Sequence, residues 1–337
     1  MNLNEAHDAD SNATATVTER ASRATTPISL LKQIAPWAVA ATILHFLFSK
    51  VPLADAWAAA AAANLGLFLP VMMAAVFVWF LIDSAAFAFL FTRFNAKLDW
   101  AEARSLRAMT YLVTPINWNL GTAAVILHLR TSKQIGALES TSTMLFYHMI
   151  DAVVLASFAA LGVSLLSPTP EILSLRNIAI GIVLFQTLTL AFFISSWPSL
   201  RWFERARSLG LFRTHRAAAW LDVALLFLVK SLYFSVFVGV FWLGCHAFEV
   251  DLPLGLAVAA TPVILMAGAV PITPAGLGTQ QAAMLFFFAP YGEEASILAL
   301  GLTFPLALML LRALLGLPYL KDLPRLREAM AEQKAQA

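Results

Sequence analysis

Long apolar runs are the feature that most constrains how this chain can fold. Hydrophobic residues make up 60% of its 337 residues and charged residues only 12%, about half the charged fraction of an average soluble domain. Several runs reach about 18 residues, enough for a helix to cross the hydrocarbon core of a bilayer. Lipid offers the backbone no hydrogen-bond partners, so a continuous apolar run crosses it as a helix. The sequence therefore predicts an all-α, polytopic integral membrane protein.

Charged or Pro/Gly-containing breaks divide the apolar runs into six predicted full spans and two further segments. The spans lie near 31–49, 65–92, 140–166, 177–197, 217–247 and 294–317. The two further segments, 106–129 and 253–289, each contain prolines, glycines and polar residues in their middle. Because proline cannot donate a backbone hydrogen bond and glycine permits turns, these two segments are predicted to be broken helices.

The two breaks have nearly the same order of residue types. "LVTPINWNLGTAAVIL" lies at 112–127 and "VPITPAGLGTQQAAML" at 270–285. Each has an apolar pair, Thr-Pro, a short linker, Leu-Gly-Thr and a return to apolar residues. The two Thr-Pro pairs are 159 residues apart. This offset predicts an internal repeat, with repeat one at about 30–166 and repeat two at about 177–318.

The distribution of lysine and arginine orients the predicted spans. The loop 198–216 carries five arginines, and the segments 93–107 and 321–337 are also basic, so the positive-inside rule places them in the cytoplasm. The turns at 249–251 and 293–294 are acidic and contain no lysine or arginine, so they are predicted to face outside. Each broken segment then returns to the side from which it enters, as a re-entrant helical hairpin.

The predicted architecture is therefore six full spans plus two re-entrant hairpins arranged as an inverted-topology repeat, with one hairpin entering from each side. Residues 29–320 are expected to form a single transmembrane domain. Residues 1–28 are predicted to be a disordered cytoplasmic tail, and residues 321–337 a charged cytoplasmic tail. The expected location is the inner membrane of a bacterium, with both termini in the cytoplasm.

The hairpin tips are the predicted substrate-binding region. Irregular backbone at membrane depth is tolerated where it lines a cavity, and helix N-termini that point inward favour an anion such as a lipid phosphate. Charges inside spans, here Asp83, His148, Asp151, Asp222, Lys230 and Arg312, usually face an interior. The predicted binding residues are Thr114, Asn117, Asn119, Gly121, Thr122, Arg130, His148, Asp151, Thr273, Gly276, Gly278, Thr279, Gln280, Gln281 and Arg312. The alternative is that the glycines serve close packing and the charges form structural ion pairs.

Motifs of soluble enzymes do not occur in this sequence. It contains no P-loop, no Cys/His metal cluster, no HExxH and no GxSxG. We therefore expect no ATP hydrolysis, no cofactor, no metal site and no nucleic-acid partner.

Three stretches resemble the transmembrane region of lysylphosphatidylglycerol synthases and the wider flippase-like family. They are "TPINWNLGTAAVILHLR", "FYHMIDAVV" and "PITPAGLGTQQAA", and the resemblance runs over most of residues 30–320. Where family members carry acids or Glu-Arg, this chain has Thr122, His148-Met149 and Gln281, whereas Asp151 matches. No counterpart of the soluble aminoacyl-transferase domain is expected here, so the resemblance implies lipid movement rather than lysyl-lipid synthesis.

The leading expectation is a lipid transporter without ATPase activity, not an enzyme. It would move a phospholipid or a polyprenyl-linked lipid, recognised by an anionic headgroup, through alternating access at the two hairpin tips. One alternative is a membrane-embedded lipid-modifying enzyme with His148 and Asp151 as acid/base partners. Another is a non-catalytic subunit that docks a biosynthetic enzyme through the basic loop 198–216.

Overall fold

The computed structural model describes residues 38, 41–113, 118–195, 201–269, 273 and 276–322. Within these ranges the chain has a helical stretch at 41–50 and twelve further α-helices, and it has no β-strand. The helices are α1 (Leu53–Ala62), α2 (Leu65–Phe94), α3 (Trp100–Val113), α4 (Trp118–Lys133), α5 (Ala137–Ser164), α6 (Pro170–Ile194), α7 (Arg201–Ser208), α8 (Arg213–Ala217), α9 (Trp220–Ala247), α10 (Leu254–Ala269), α11 (Thr279–Phe288) and α12 (Glu294–Gly316). The prediction of an all-α protein is confirmed for this part of the chain.

Five helices are long and apolar enough to cross a membrane: α2, α5, α6, α9 and α12 with the turn that continues it to Tyr319. They correspond to five of the six predicted spans. The remaining one, at 31–49, lies mostly outside the described residues. One predicted boundary was displaced: α6 begins at Pro170, with the Thr169 hydroxyl accepting from the Ile172 amide over 3.3 Å, so Arg176 lies inside the helix. The helix therefore starts at its capping residue, Thr169, and not after the charged residue Arg176.

The two broken segments form pairs of short helices. The first pair, α3 and α4, has 14 and 16 residues, and the second, α10 and α11, has 16 and 10. At 1.5 Å per residue none of them reaches the roughly 30 Å of a hydrocarbon core. The two helices of each pair contact each other. The residues between α3 and α4, 114–117, lie outside the described ranges.

The first broken segment starts earlier than the predicted residue 106. A reciprocal capping box begins α3: the Asp99 carboxylate accepts from the Glu102 amide over 2.7 Å, and the Glu102 carboxylate accepts from the Asp99 amide over 3.0 Å. The first turns of α3 are polar, which hid them from a search for apolar runs. Arg107 consequently lies within a helix, where its side chain is 14% exposed and pairs with Asp83.

Aromatic side chains fill the core between α2 and α9. Trp79 stacks on Phe237 with ring centroids 5.1 Å apart, and its indole donates to the Tyr233 carbonyl over 3.2 Å. By contrast, only 6% of the apolar window of α6 is buried, against 33–39% in the other four long helices. The helix α6 is therefore peripheral, packed chiefly against α5.

Glycines allow two close helix crossings. A Cβ on Gly162 of α5 would lie 2.2 Å from the backbone nitrogen of Ala259 on α10, closer than atoms can approach. A Cβ on Gly316 at the end of α12 would lie 2.7 Å from Cγ of Leu112 on α3. Each broken pair is thus held tightly against a long helix.

Candidate functional site

Side chains from four helices meet in a buried ionic cluster, which we define as Asp83 (α2), Arg107 (α3), Tyr147 and Asp151 (α5) and Lys230 (α9). The Asp83 side chain is 1% exposed. Its carboxylate pairs with Arg107 Nη2 at 2.5 Å and accepts from the Tyr147 hydroxyl at 2.8 Å. Lys230 Nζ lies 3.4 Å from the same carboxylate. Asp83 therefore joins three other helices to α2.

Lys230 links the two carboxylates of the ionic cluster. Its side chain is 3% exposed, and its ammonium lies 2.8 Å from Asp151 Oδ1. It also donates to the Tyr147 hydroxyl over 2.6 Å and lies 4.0 Å from the centre of that ring. A buried charge is tolerated only when it is paired and hydrogen-bonded, and these contacts supply both.

Three cluster residues lie at a common depth. Asp83 is eleven residues from the end of α2, and Tyr147 and Lys230 are each ten residues from the start of their helices. These helix ends adjoin the basic segments of the chain. At 1.5 Å per residue, each of these three residues lies about 15 Å along its helix from that end, a distance equal to half the thickness of a hydrocarbon core. The cluster is thus placed far inside the bundle.

The cluster reaches a less buried rim on one side through His148. Its Nδ1 atom lies 3.5 Å from Asp151 Oδ2, and the two side chains are 33% and 18% exposed. Residues 148 and 151 are one helical turn apart, which places both side chains on one face of α5. The prediction that His148 and Asp151 share a face is confirmed.

On another side the cluster continues into a group of arginine and tyrosine side chains. Arg107 and Arg312 both lie against the ring of Tyr111, with their Cζ atoms 4.8 and 5.0 Å from its centre. Arg312 Nη2 donates to the Tyr233 hydroxyl over 3.1 Å. Arg312, on α12, therefore lies beside the ionic cluster, although its partners are tyrosines.

The second broken motif is held by its own hydrogen bonds. Gly276 and Gly278 have positive φ angles of 71° and 86°, which a side chain would strain. The Gly278 amide donates to Gln281 Oε1 over 2.7 Å, and Gln281 Nε2 donates to the Gly301 carbonyl of α12 over 2.7 Å. With both polar ends engaged, Gln281 is 1% exposed and ties the start of α11 to α12.

Other polar residues of this motif also contact the α10–α11 pair itself. The Thr279 hydroxyl makes hydrogen bonds to the carbonyls of Ala267 (3.1 Å) and Gly276 (3.0 Å). A Cβ on Gly268 would lie 1.8 Å from Nε2 of Gln280, so this amide packs against the α10 backbone. Thr273 is buried, and its hydroxyl has no hydrogen-bond partner among the described residues.

The predicted residues of the first motif are less fully placed. Thr114 and Asn117 lie outside the described residues, as does the side chain of Asn119. In α4, Gly121 is buried, Thr122 is half-buried and Arg130 is exposed. Of the fifteen predicted site residues, His148 and Asp151 contact each other at the ionic cluster, and Arg312 lies at its edge.

Sequence reasoning missed part of the cluster. Asp83 and Lys230 were noted as charges within spans but were not retained as site residues. A usable signal was the helical spacing of tyrosines and charges: Tyr147 and Asp151 are four residues apart, and Lys230 and Tyr233 are three.

Asp222 lies away from the ionic cluster, at the first turn of α9. Its carboxylate accepts from the Ala219 amide over 2.8 Å and pairs with Arg93 at 3.1 Å.

Comparison with known families decides what kind of membrane protein this is. The family model for the lysylphosphatidylglycerol synthase transmembrane region matches residues 33–316, which include both broken pairs and the whole ionic cluster. The chain belongs to this family. No curated protein and no solved structure matches it. The resemblance inferred from the motifs is confirmed, and membership of the lysylphosphatidylglycerol synthase transmembrane family is consistent with a membrane lipid-related role.

The charged side chains of the ionic cluster and Arg312 do not balance. Arg107, Lys230 and Arg312 are three cations, and Asp83 and Asp151 are two carboxylates, so the group has a net charge of +1. Within the described ranges no set of three or more His, Cys, Asp or Glu side chains is arranged to hold a metal ion.

Proposed function

We propose that this protein moves a lipid between the leaflets of a bacterial inner membrane without hydrolysing ATP. The observation that carries the proposal is the ionic cluster about 15 Å from the helix ends, within the bundle. A headgroup crosses hydrocarbon at great cost unless charged or polar groups replace its water. The cluster supplies such groups within the bundle.

The α3–α4 and α10–α11 pairs are the elements that we expect to move. We propose that they are re-entrant hairpins entering from opposite sides, related as an inverted repeat, and that access to the site alternates between them. Their short helices and the similar sequences at their breaks support this reading. The contact of Gly316 with Leu112 places α3 against α12, and the bond of Gln281 to Gly301 places α11 against the same helix.

Transport is tested with purified protein in liposomes that contain a fluorescent short-tailed phospholipid, by adding an impermeant quencher. Movement between leaflets exposes the inner-leaflet fluorophore, so the quenched fraction rises above half. Gly276→Leu places a side chain against the α10 backbone and should abolish this rise. Gly181→Leu is the matched control, since nothing lies within 4 Å of a Cβ at that position.

Correct insertion is verified by size-exclusion elution before each assay. Unchanged lipid movement in a correctly inserted Gly276→Leu protein contradicts the role of the α10–α11 turn. Absence of movement in the wild-type protein, across phosphatidylglycerol, phosphatidylethanolamine and polyprenyl phosphate probes, contradicts the transport function itself.

A second candidate is lipid modification by His148 and Asp151. The observation that favours it is the 3.5 Å separation of His148 Nδ1 from Asp151 Oδ2 at the less buried rim, an arrangement suited to acid/base chemistry. Incubation of the purified protein with membrane lipids, followed by mass spectrometry, tests it. A new lipid species that disappears in His148→Gln supports this candidate over transport.

A further inference from the structure

Arg312 makes no salt bridge with a carboxylate among the described residues. The Asp83 carboxylate binds Arg107, and Lys230 lies between Asp83 and Asp151. Arg312 instead donates to the neutral Tyr233 hydroxyl over 3.1 Å, and its Nε is buried without an acceptor. A cation without a direct carboxylate contact and an unsatisfied N–H inside a spanning helix are costly, so this position favours a bound anion.

Two guanidinium groups contact the ring of Tyr111. Arg107 Nε, like Arg312 Nε, is buried without a hydrogen-bond acceptor in the described part of the chain. Both groups lie within 5.0 Å of the ring centre, from helices α3 and α12. Gly316 permits the close approach of the two helices, because any side chain there would push α12 away from Leu112. Guanidinium groups match the oxygens of a phosphate with paired N–H donors.

We propose that Arg312, together with Arg107 and Tyr111, forms the subsite for the phosphate of an anionic lipid. The inference rests on the proposed function and specifies its substrate class. A headgroup with one net negative charge compensates the net charge of +1 of the cluster and Arg312. A zwitterionic headgroup adds a cation of its own and leaves that charge uncompensated. The protein therefore selects anionic lipids over zwitterionic lipids.

A surface anchor is the plainer role for an arginine four residues before the end of a spanning helix. Such a side chain extends along its helix to place its guanidinium among the lipid headgroups. Arg312 points the other way: its guanidinium contacts Tyr233, which is 9% exposed, and Tyr111, which is 1% exposed. Its direction therefore favours an interior ligand.

Lipid binding in detergent micelles tests the proposal. Purified protein is titrated with dioctanoyl phosphatidylglycerol and, separately, with dioctanoyl phosphatidylcholine. Wild type should bind the first at least tenfold more tightly, and Arg312→Gln should remove this preference. Arg312→Lys keeps the charge but loses the paired donors, so it should weaken phosphatidylglycerol binding by about threefold to tenfold.

Three controls sharpen the assignment. Arg205→Gln removes a positive charge from an exposed helix face and should leave both affinities unchanged. Tyr233→Phe removes the hydroxyl partner of Arg312 without changing charge and should bind phosphatidylglycerol within about threefold of wild type. The unfolding midpoint of each variant is measured; if Arg312→Gln does not fold, Arg312→Lys supplies the decisive comparison.

Several results would overturn the inference. They are equal wild-type affinity for the two lipids, unchanged phosphatidylglycerol binding in Arg312→Gln, or unchanged binding in Arg312→Lys where the glutamine variant does not fold. Displacement of the lipid by inorganic phosphate at similar concentrations would also overturn it, since the anion would then not be a lipid. Selective binding by a protein that moves no lipid in liposomes keeps the subsite and refutes transport. Lipid movement that is unchanged by Arg312→Gln supports transport and refutes the subsite.

Discussion

Asp83 and Arg107 form an ion pair between a long spanning helix and the first helix of a broken pair. The two side chains are 2.5 Å apart and are 1% and 14% exposed. The same Asp83 carboxylate also accepts from Tyr147 and lies near Lys230. One buried carboxylate thereby fixes α3 against α2, α5 and α9, and the position of the first broken pair depends on it.

Asp83→Asn should strongly destabilise the protein. The substitution leaves Arg107 without a carboxylate and Lys230 with Asp151 alone, and removing one partner of a buried ion pair costs about 3–5 kcal/mol. Thermal unfolding in detergent measures the loss. Asp251→Asn is the control, because Asp251 is 93% exposed and its contact with His246 should contribute little. Equal unfolding midpoints for the two variants would contradict the importance of the buried pair.

Gly162→Ala should lower the unfolding midpoint although alanine favours helices. The added methyl group would lie 2.2 Å from the Ala259 backbone, so α5 and α10 must separate. We expect a loss of about 2–3 kcal/mol, typical of overpacking in a tight core. Gly239→Ala in α9 is the matched control: nothing lies within 4 Å of its new methyl group, and helix propensity alone should raise stability slightly. A stable Gly162→Ala protein would show that the two helices are not in close contact.

Gln281→Glu, which introduces the acid expected from the family resemblance, should destabilise this chain. The amide nitrogen of Gln281 donates to the Gly301 carbonyl over 2.7 Å, and a carboxylate would place a negative oxygen there instead. A buried charge facing an acceptor should cost about 3 kcal/mol or more. Thermal unfolding is compared with that of Gln281→Met, which has similar volume and no charge and should lose less. The glutamate variant should recover at low pH, since a protonated carboxyl can donate to Gly301.

His215 should make stability depend on pH. Burial, reinforced by the charge of Arg216, lowers the pKa of this histidine from 6.5 to about 4. The unfolded chain then takes up a proton more readily than the folded protein, so stability is complete above pH 6.5 and falls as the pH drops toward 4. Unfolding midpoints between pH 4.5 and 7.5 should fall less steeply in His215→Leu than in wild type. The exposed His45 provides a control, and His45→Gln should retain the wild-type slope.

The long spans were predictable because hydropathy is a local property of continuous runs. Five long helices appear where the sequence places them, with ends displaced by capping residues such as Thr169. The start of α3 was not predictable from hydropathy, because "WAEARSLR" is polar. Arg107, at the end of this stretch, pairs with Asp83 inside the bundle, a contact that hydropathy does not reveal.

The ionic cluster was predictable only in part. An acid such as Asp151 inside an apolar run indicates an interior partner whatever the fold. Which partner it finds depends on helix rotation and tilt, and these are set by contacts between distant residues. Lys230 is 147 residues from Asp83, and no local pattern in the sequence relates the two. Tyr111 and Tyr233 acquire their significance only through the arginines that contact them.

The peripheral position of α6 sets how freely its sequence can vary. Most of its side chains, among them Leu184, Phe185 and Leu188, are exposed, so the described part of the chain constrains their shape little. A saturation library of α6 should accept exchanges among leucine, isoleucine, valine and phenylalanine at nearly every outward position, whereas α9 should reject most of them. The substitutions that this protein tolerates would therefore differ between helices. On α6 a side chain mainly has to be apolar enough for lipid, whereas on the helices around Asp83 it also has to fit its neighbours in shape.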